Sequence, residues 1–520
     1  MSDHAPATGR GVVELTHRQI LTVFGGLMLG MLLAALDQTI VATALPTIVG
    51  QLGGLSHLSW VVTSYLLTST AATPLFGKVS DLYGRRRMFQ AAIVTFLIAS
   101  ALAGLARNMT QLVLFRGLQG IGGGGLIAMS QVIIGDVVSP RERGRYMGFI
   151  GSVFAFASVA GPLLGGYFVD NLSWRWVFYI NLPVGLVALT VTNSVLNLPF
   201  HRVSRAIDYV GAVLMVGAVT CLVLVTTWGG TEYPWWSTTI MGLGIVGALL
   251  LGLFIVQESR AAEPILPLRL FSNPVFSVAG AAGFLVGVTM FGSIVFLPLF
   301  LQIVTGASAT SSGLLLLPLM GGLVVSSVVS GRIITRIGRY KLFPVGGTAV
   351  MAVATYLLQT MGPETGRLAS SSYMVLLGVG IGMVMQVLVL AVQNSVEHRD
   401  LGVATSAASL FRSLGGAVGT ALFGAIFSSR IAHYLPRLLP PTSRAHIDGG
   451  TLEGRPSAIL QLPPAVRHAV VEAFARSIHV VFLWTVPVAV AAFGITLFLR
   501  EVRLRESAHV GARHGVGEEG

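Results

Sequence analysis

Asp37 is the one carboxylate set well inside the apolar stretches of the first half of the chain, in Leu36-Asp37-Gln38-Thr39, nine residues before Pro46. An ionisable group in hydrocarbon is costly unless it is paired or hydrated. Facing a cavity, such a carboxylate takes up or releases a proton as its hydration and neighbouring charges change; the plainer alternative is a structural hydrogen bond to another helix. Arg116 opens Arg116-Gly117-Leu118-Gln119-Gly120, with Gly122 to Gly125 beyond it. Gln119 lies one helical turn from Arg116. The glycines allow another helix to pack tightly around a fixed cation, and that cation biases the proton affinity of an acid brought near it. Asp37 and Arg116 are therefore the candidate pair for proton coupling. Gln119, Gln386, Gln393, Met290 and Phe291 are candidates for the lining of a substrate cavity, set against the commoner fate of such residues as core or lipid-facing surface. Arg412 is a second cation inside an apolar stretch, about three turns after Arg399-Asp400, so snorkelling competes with function as its explanation.

These residues have to be positioned by elements that suit lipid. Of 520 residues, 53% are hydrophobic and 10% charged, whereas soluble domains carry about 25% charge. A water-soluble globule, a disordered chain and a disulfide scaffold are excluded, the last because Cys221 is the only cysteine. Apolar stretches long enough to span cover 20–44, 57–77, 88–106, 110–134, 146–168, 174–197, 207–228, 238–257, 274–302, 309–331, 342–361, 370–393, 402–428 and 478–499. The expected architecture is an all-α integral membrane protein of fourteen spans. No short apolar core with a small-residue cleavage site precedes 20, so the first span is expected to be retained.

Basic residues set the orientation, because short cytoplasmic loops hold the excess of Lys and Arg. Lys78, Arg85, Arg86, Arg87, Arg141, Arg143, Arg145, Arg332, Arg336, Arg339 and Lys341 fall on the side of both termini, while the short loops opposite hold Arg107, Arg175 and Arg367. Both termini are expected in the cytoplasm. The net charge of +12 follows from this topology and from attraction to anionic lipid, and gives no support to nucleic-acid binding.

An internal repeat divides the chain. Gly77, Gly84 and Arg85 recur as Gly331, Gly338 and Arg339, and Arg141-Glu142-Arg143-Gly144 is answered by Arg399-Asp400-Leu401-Gly402. Two six-helix halves, 1–200 and 272–520, are expected around two additional central spans in 201–271. Duplicated halves are common in secondary transporters, with the substrate between them near the midplane. The segment 430–477, rich in proline at 440, 441, 463 and 464, lies outside the membrane; it is long enough to cap an exit or bind a partner protein, and a solvated loop is the simpler reading.

No soluble catalytic chemistry is encoded. Gly77-Lys78 is followed by Val79, and Ala72 stands where the first glycine of a Walker motif belongs, so there is no ATP cradle. Gly242-Leu243-Gly244-Ile245-Val246-Gly247 matches a dinucleotide fingerprint only formally, because it lies inside an apolar span with no preceding strand. HExxH, paired CxxC and GxSxG motifs do not occur. An enzyme, a metal site and an organic cofactor are not expected.

The chain resembles the major facilitator superfamily, and specifically its fourteen-span drug:proton antiporters, over nearly its whole length. Gly77-Lys78-Val79-Ser80-Asp81-Leu82-Tyr83-Gly84-Arg85-Arg86-Arg87 resembles the superfamily's signature loop. That resemblance implies that Asp81, Arg85 and Asp136 form a cytoplasmic charge network holding one conformation, and Asp81 can also cap a helix N-terminus of the other half. Arg116-Gly117-Leu118-Gln119-Gly120 resembles the motif assigned to proton coupling. Gly161-Pro162-Leu163-Leu164-Gly165-Gly166 resembles the antiporter motif of exporters, its glycines supplying close packing and Pro162 a bend. Leu36 to Pro46 and Trp174 to Pro183 are similar to signatures of the fourteen-span group. One departure is Thr335, which stands where the first copy of the signature loop has Asp81.

Taken together, the residues and the resemblance imply proton-driven efflux of amphipathic drug-like molecules, cationic or neutral, across the cytoplasmic membrane, with the proton gradient as the energy source. The alternatives are an exporter of one lipid, siderophore or antibiotic, and a non-transporting membrane receptor.

Overall fold

The computed structural model describes residues 17–52, 58–195, 208–230, 232–307, 314–362, 365–439 and 462–504. These segments are mostly helix, joined by short turns and loops. In order the helices are α1 (His17–Leu52), α2 (Leu58–Tyr83), α3 (Arg85–Gly104), α4 (Met109–Val137), α5 (Pro140–Asn171), the short α6 (Trp176–Tyr179), α7 (Asn181–Val195), α8 (Tyr209–Trp228), α9 (Thr238–Arg260), α10 (Pro274–Ile303), α11 (Leu317–Ile337), α12 (Leu342–Leu358), α13 (Arg367–Ser395), α14 (Leu401–Leu438) and α15 (Pro464–Leu497). Among the described residues the only β-type pairing is an isolated bridge between Gly229 and Tyr233.

Local signals explain where the helices begin and end. Asn108 accepts from the Gln111 amide at the start of α4, Asp208 from Gly211 at α8, and Asn273 from Val275 at α10, each at 2.8–2.9 Å; such caps satisfy orphan amides of a first turn. Gly84 at φ 95 separates α2 from α3, and Gly338 at φ 72 ends α11. These are equivalent glycines of the repeat, and both occupy backbone conformations that disfavour a side chain.

Among the described residues twelve helices are long and apolar enough to cross a membrane, α6 and α7 together counting as one. The expected windows 57–77 and 342–361 correspond to α2 and to the 17-residue α12, which lie outside those twelve. Two further differences concern the expected outer segment 430–477. Helix α14 continues to Leu438, and α15 begins at Pro464, so both ends of that segment are helix and the final span starts earlier than 478. Residues 440–461, with Pro440 and Pro441, lie outside the described residues.

Helices α1 to α7 pack as one group and α10 to α15 as another, with α8 set against α2 and α14 and α9 packed on α8. Each group has its own apolar interior, built around Met31, Phe89, Phe96 and Met129 in the first and Phe276, Phe300, Phe474 and Phe482 in the second. The added pair is fastened at both ends: Trp228 meets Trp60 edge-to-face at 4.9 Å, and Lys78 pairs with Glu263 at 3.1 Å just beyond α9.

Close contacts between the groups gather at the end that carries Arg85, Arg141 and Arg339, here called the basic end. There Gly77 of α2 packs on Ser406 and Gly402 of α14, and Gly144, Gly148 and Gly151 of α5 pack on Gly331, Ser327 and Leu323 of α11. Gln393 Nε2 donates to the Gln131 carbonyl at 3.0 Å, and Ser409 Oγ donates to Gln131 Oε1 at 2.8 Å. Further along α5 the same helix changes partner: Gly161 and Gly165 press against Thr39 and Thr43 of α1, within the first group.

Candidate functional site

Asp37 sits in the middle of α1 and is fully buried, as are Ser100, Gln119 and Asn181; Tyr65 and Arg116 are 1% and 2% exposed. Arg116 donates to Asp37 Oδ2 and, at 2.6 Å, to Gln119 Oε1. Gln119 Nε2 lies 2.8 Å from Asp37 Oδ1 and 2.6 Å from Ser100 Oγ. Asn181 Nδ2 lies 3.1 Å from the same carboxylate oxygen and 3.2 Å from Ser100 Oγ. The Arg116 guanidinium also stacks 4.3 Å over the Tyr65 ring and donates to the Val61 carbonyl at 3.3 Å. Five helices, α1, α2, α3, α4 and α7, thus converge on one carboxylate.

The glycines after Arg116 make this convergence possible. A Cβ on Gly120 would stand 2.3 Å from the Tyr65 carbonyl oxygen, and one on Gly123 would stand 2.3 Å from the Tyr65 hydroxyl. Any side chain at either position would push α2, and with it Tyr65, away from α4. Electrostatically the site is a compensated pair: one buried anion, one buried cation, and neutral donors filling the remaining lone pairs. A buried pair survives only with such complete hydrogen bonding. Chemically, the arrangement can store a proton. Protonating Asp37 would cancel its attraction for Arg116 and leave the guanidinium to find another acceptor.

A second charged cluster stands at the basic end. Arg85 Nη1 lies 2.5 Å from Asp81 Oδ1, and Arg85 Nε lies 2.6 Å from Asp136 Oδ2. The Asp81 carboxylate backs onto the first turn of α14, where a Cβ on Gly402 would stand 2.7 Å from its Oδ1. An anion there complements the positive end of a helix belonging to the other group. Thr335 makes the second copy different in kind. Its hydroxyl bonds back to the Gly331 carbonyl at 2.9 Å, and its own carbonyl accepts from Arg141 Nε at 3.3 Å. A cation from the first group thus meets the C-terminal end of α11, the opposite charge at the opposite helix pole.

The other expected site residues are distributed as follows. Gly161 and Gly165 are close-packing positions, Gly166 faces open space, and Pro162 lies inside an unbroken α5. Gln119 belongs to the Asp37 cluster. Gln393 is buried and joined to the Gln131 backbone and to Thr405, and Met290 is buried in the second group's interior, so neither lines an open cavity. Phe291, 38% exposed, is the open one of the Met290-Phe291 pair. Gln386 borders a small cavity between α5, α11 and α13, with Gly144, Ser327 and Gly382, and both of its amide atoms lack a hydrogen-bond partner.

Asn181, Ser100 and Tyr65 are members of the cluster that sequence reasoning passed over. Asn181 had a signal, since it is the amide side chain in Ile180-Asn181-Leu182-Pro183 at the start of an apolar helix. Ser100 and Tyr65 had none, being ordinary residues for their helices. The neighbouring Trp174-Arg175-Trp176 is structural: Arg175 stacks on Trp174 at 4.4 Å and donates to the carbonyls of Gly104 and Ala106 at 3.0 and 2.9 Å, closing the end of α3.

The sequence profile of the Major Facilitator Superfamily matches residues 27–196 and 194–420. The multidrug transporter protein MdtP of Bacillus subtilis is 38% identical over 92% of this chain and 93% of its own length. An uncharacterised MFS-type transporter of Mycobacterium tuberculosis is 45% identical over 93% of this chain and 70% of its own. Among solved structures, the proton:xylose symporter XylE superposes with a TM-score of 0.61 at 14% identity, covering 95% of this chain and 99% of that one, a likeness of fold. The chain belongs to the major facilitator superfamily, as a multi-pass membrane transporter and not an enzyme.

Proposed function

We propose that this protein drives the efflux of amphipathic drug-like compounds across the cytoplasmic membrane in exchange for protons, by alternating access of a site between its two helical groups. In this reading the chain makes fourteen spans, with α2 and α12 included, and both termini and the basic end are cytoplasmic. The observation that carries it is the buried Asp37–Arg116 pair with its ring of neutral donors. The partners of this carboxylate come from α4 and α7, so the buried pair and its hydrogen bonds are made or broken as those helices shift against α1, which is the link between charge and conformation that coupling needs. Gln38, the next residue along α1, is exposed.

The gathering of contacts at the basic end supports a conformation closed toward the cytoplasm. Opening that end requires the glycine contacts of α2 with α14 and of α5 with α11 to part, and requires Asp81 and Arg141 to leave the helix poles they complement. The test is transport into or out of proteoliposomes with an imposed pH gradient and a chemically diverse panel. Gradient-dependent movement of several unrelated amphipaths is expected. Movement of one compound alone would favour a dedicated exporter, and movement indifferent to the gradient would refute proton coupling.

A further inference from the structure

Arg412 lies in the middle of α14, some 17 Å along the helix from its start at the basic end. Among the described residues no side-chain hydrogen bond or ion pair joins it to another group. Its place on the helix is defined by its neighbours on the same face. Thr405 and Ser409, seven and three residues earlier, bond to Gln393 of α13 and to Gln131 of α4, and Gly416, four residues later, packs on the ring of Phe291. Residues so spaced share one helical face, so Arg412 is turned toward α4, α10 and α13 rather than toward lipid, and it is incompletely buried.

Among the described residues nothing nearby offers a counter-charge. No Asp or Glu occurs in α10, α11, α12, α13 or α14. Glu472, in the opening turns of α15, is paired with Arg476. In the first group Asp37 is already paired with Arg116. The interior between the groups therefore carries one cation in excess, which is costly in a low-dielectric setting unless a ligand supplies the anion. Phe291, exposed and packed one turn from Arg412, offers an apolar surface beside it.

We infer that Arg412 is an anion-accepting subsite of the transport pathway, and that the preferred substrates are amphipaths bearing a carboxylate, sulfonate or phosphate, with the anion on Arg412 and the hydrophobic body on Phe291. This deepens the efflux reading and rests on it, and it replaces the expectation of cationic or neutral substrates. A guanidinium is suited to the task because it stays charged and presents several donors to an oxyanion.

The test is equilibrium binding to the purified full-length chain in detergent, using a matched pair of fluorescent probes. Anilinonaphthalene sulfonate carries the anion, N-phenylnaphthylamine has the same rings without it, and ethidium is a cationic counterpart. Wild type is expected to bind the sulfonate about tenfold more tightly than the naphthylamine. Arg412→Gln should lose about that factor for the sulfonate alone, and Arg412→Lys should recover part of it. Removing an uncompensated cation should also raise the unfolding temperature of empty Arg412→Gln and abolish the upward shift that the sulfonate gives wild type, a readout that reports folding as well. Unchanged sulfonate affinity in Arg412→Gln, an equal loss for both probes, or tighter binding of ethidium by wild type would overturn the inference. Proteoliposomes separate it from the reading beneath it. Sulfonate bound through Arg412 but not moved by a pH gradient sinks coupled efflux and leaves the subsite, whereas gradient-driven ethidium transport without Arg412-dependent sulfonate binding does the reverse.

Discussion

Gly331 of α11 touches Gly144 of α5 backbone to backbone: a Cβ on Gly331 would stand 2.0 Å from the Gly144 carbonyl oxygen. Gly77 of α2 stands in the same relation to α14, where its Cβ would lie 2.8 Å from the Gly402 carbonyl oxygen. The signature glycine of each repeat therefore packs against the loop glycine of the other, so the two inter-group contacts are related as the repeats are. A methyl group has no room at either place.

Gly331→Ala is accordingly expected to open the basic end. Overpacking of this kind costs about 1–3 kcal/mol, enough to raise the population of the open form at least fivefold. Thiol labelling of a Ser330→Cys reporter in a Cys221→Ser background measures it. Labelling no faster than in the parent would show that this contact does not set the equilibrium.

Asp37→Asn should abolish gradient-driven transport. It should also lower the unfolding temperature, because breaking a buried pair leaves Arg116 uncompensated at a cost of about 3–5 kcal/mol. The double variant Asp37→Asn with Arg116→Gln should regain most of the stability and none of the transport. Full transport by the single variant would remove Asp37 from the coupling role.

Asp81→Asn keeps the shape of the contact with α14 but discharges it. Arg85 retains Asp136 as a partner at 2.6 Å, so the network should persist while the inter-group attraction weakens by about 0.3–1 kcal/mol. The Ser330→Cys reporter should label up to about fivefold faster, with a smaller effect at high salt. Equal labelling at all ionic strengths would argue that Asp81 serves only its own group.

Tyr340, in the turn between α11 and α12, is fully buried; its hydroxyl donates to the Arg500 carbonyl at 2.9 Å and accepts from the Val502 amide at 3.3 Å. Burial pushes the phenol up to about 12 from its ordinary 10.0, opposed by the Val502 amide. A group whose pKa rises on folding contributes stability that is complete below its unfolded pKa and is lost as pH climbs through the folded one. The stability advantage of wild type over Tyr340→Phe should therefore shrink by on the order of 2 kcal/mol between about pH 10 and 12. Parallel unfolding curves for the two proteins across that window would contradict it.

Sequence alone determined what is local and covalent: a membrane chain from its composition, the approximate positions of its spans from apolar stretches, and the repeat from Gly77, Gly84, Gly331 and Gly338. It also singled out Asp37 and Arg116, because an ionisable residue stands out against an apolar run. Tertiary structure decided the partners. Asp37 meets Arg116 across 79 residues of chain and Asn181 across 144, and no spacing rule connects positions so far apart. It also decided which apolar residues face inward. Met290 is core and Phe291 is open, yet the sequence around them is uniformly apolar, because lipid imposes no polar face from which a helix's orientation could be read. Arg412 shows the same division. Its charge was visible in the sequence, but that no described residue of the second group answers that charge became apparent only once the helices were assembled.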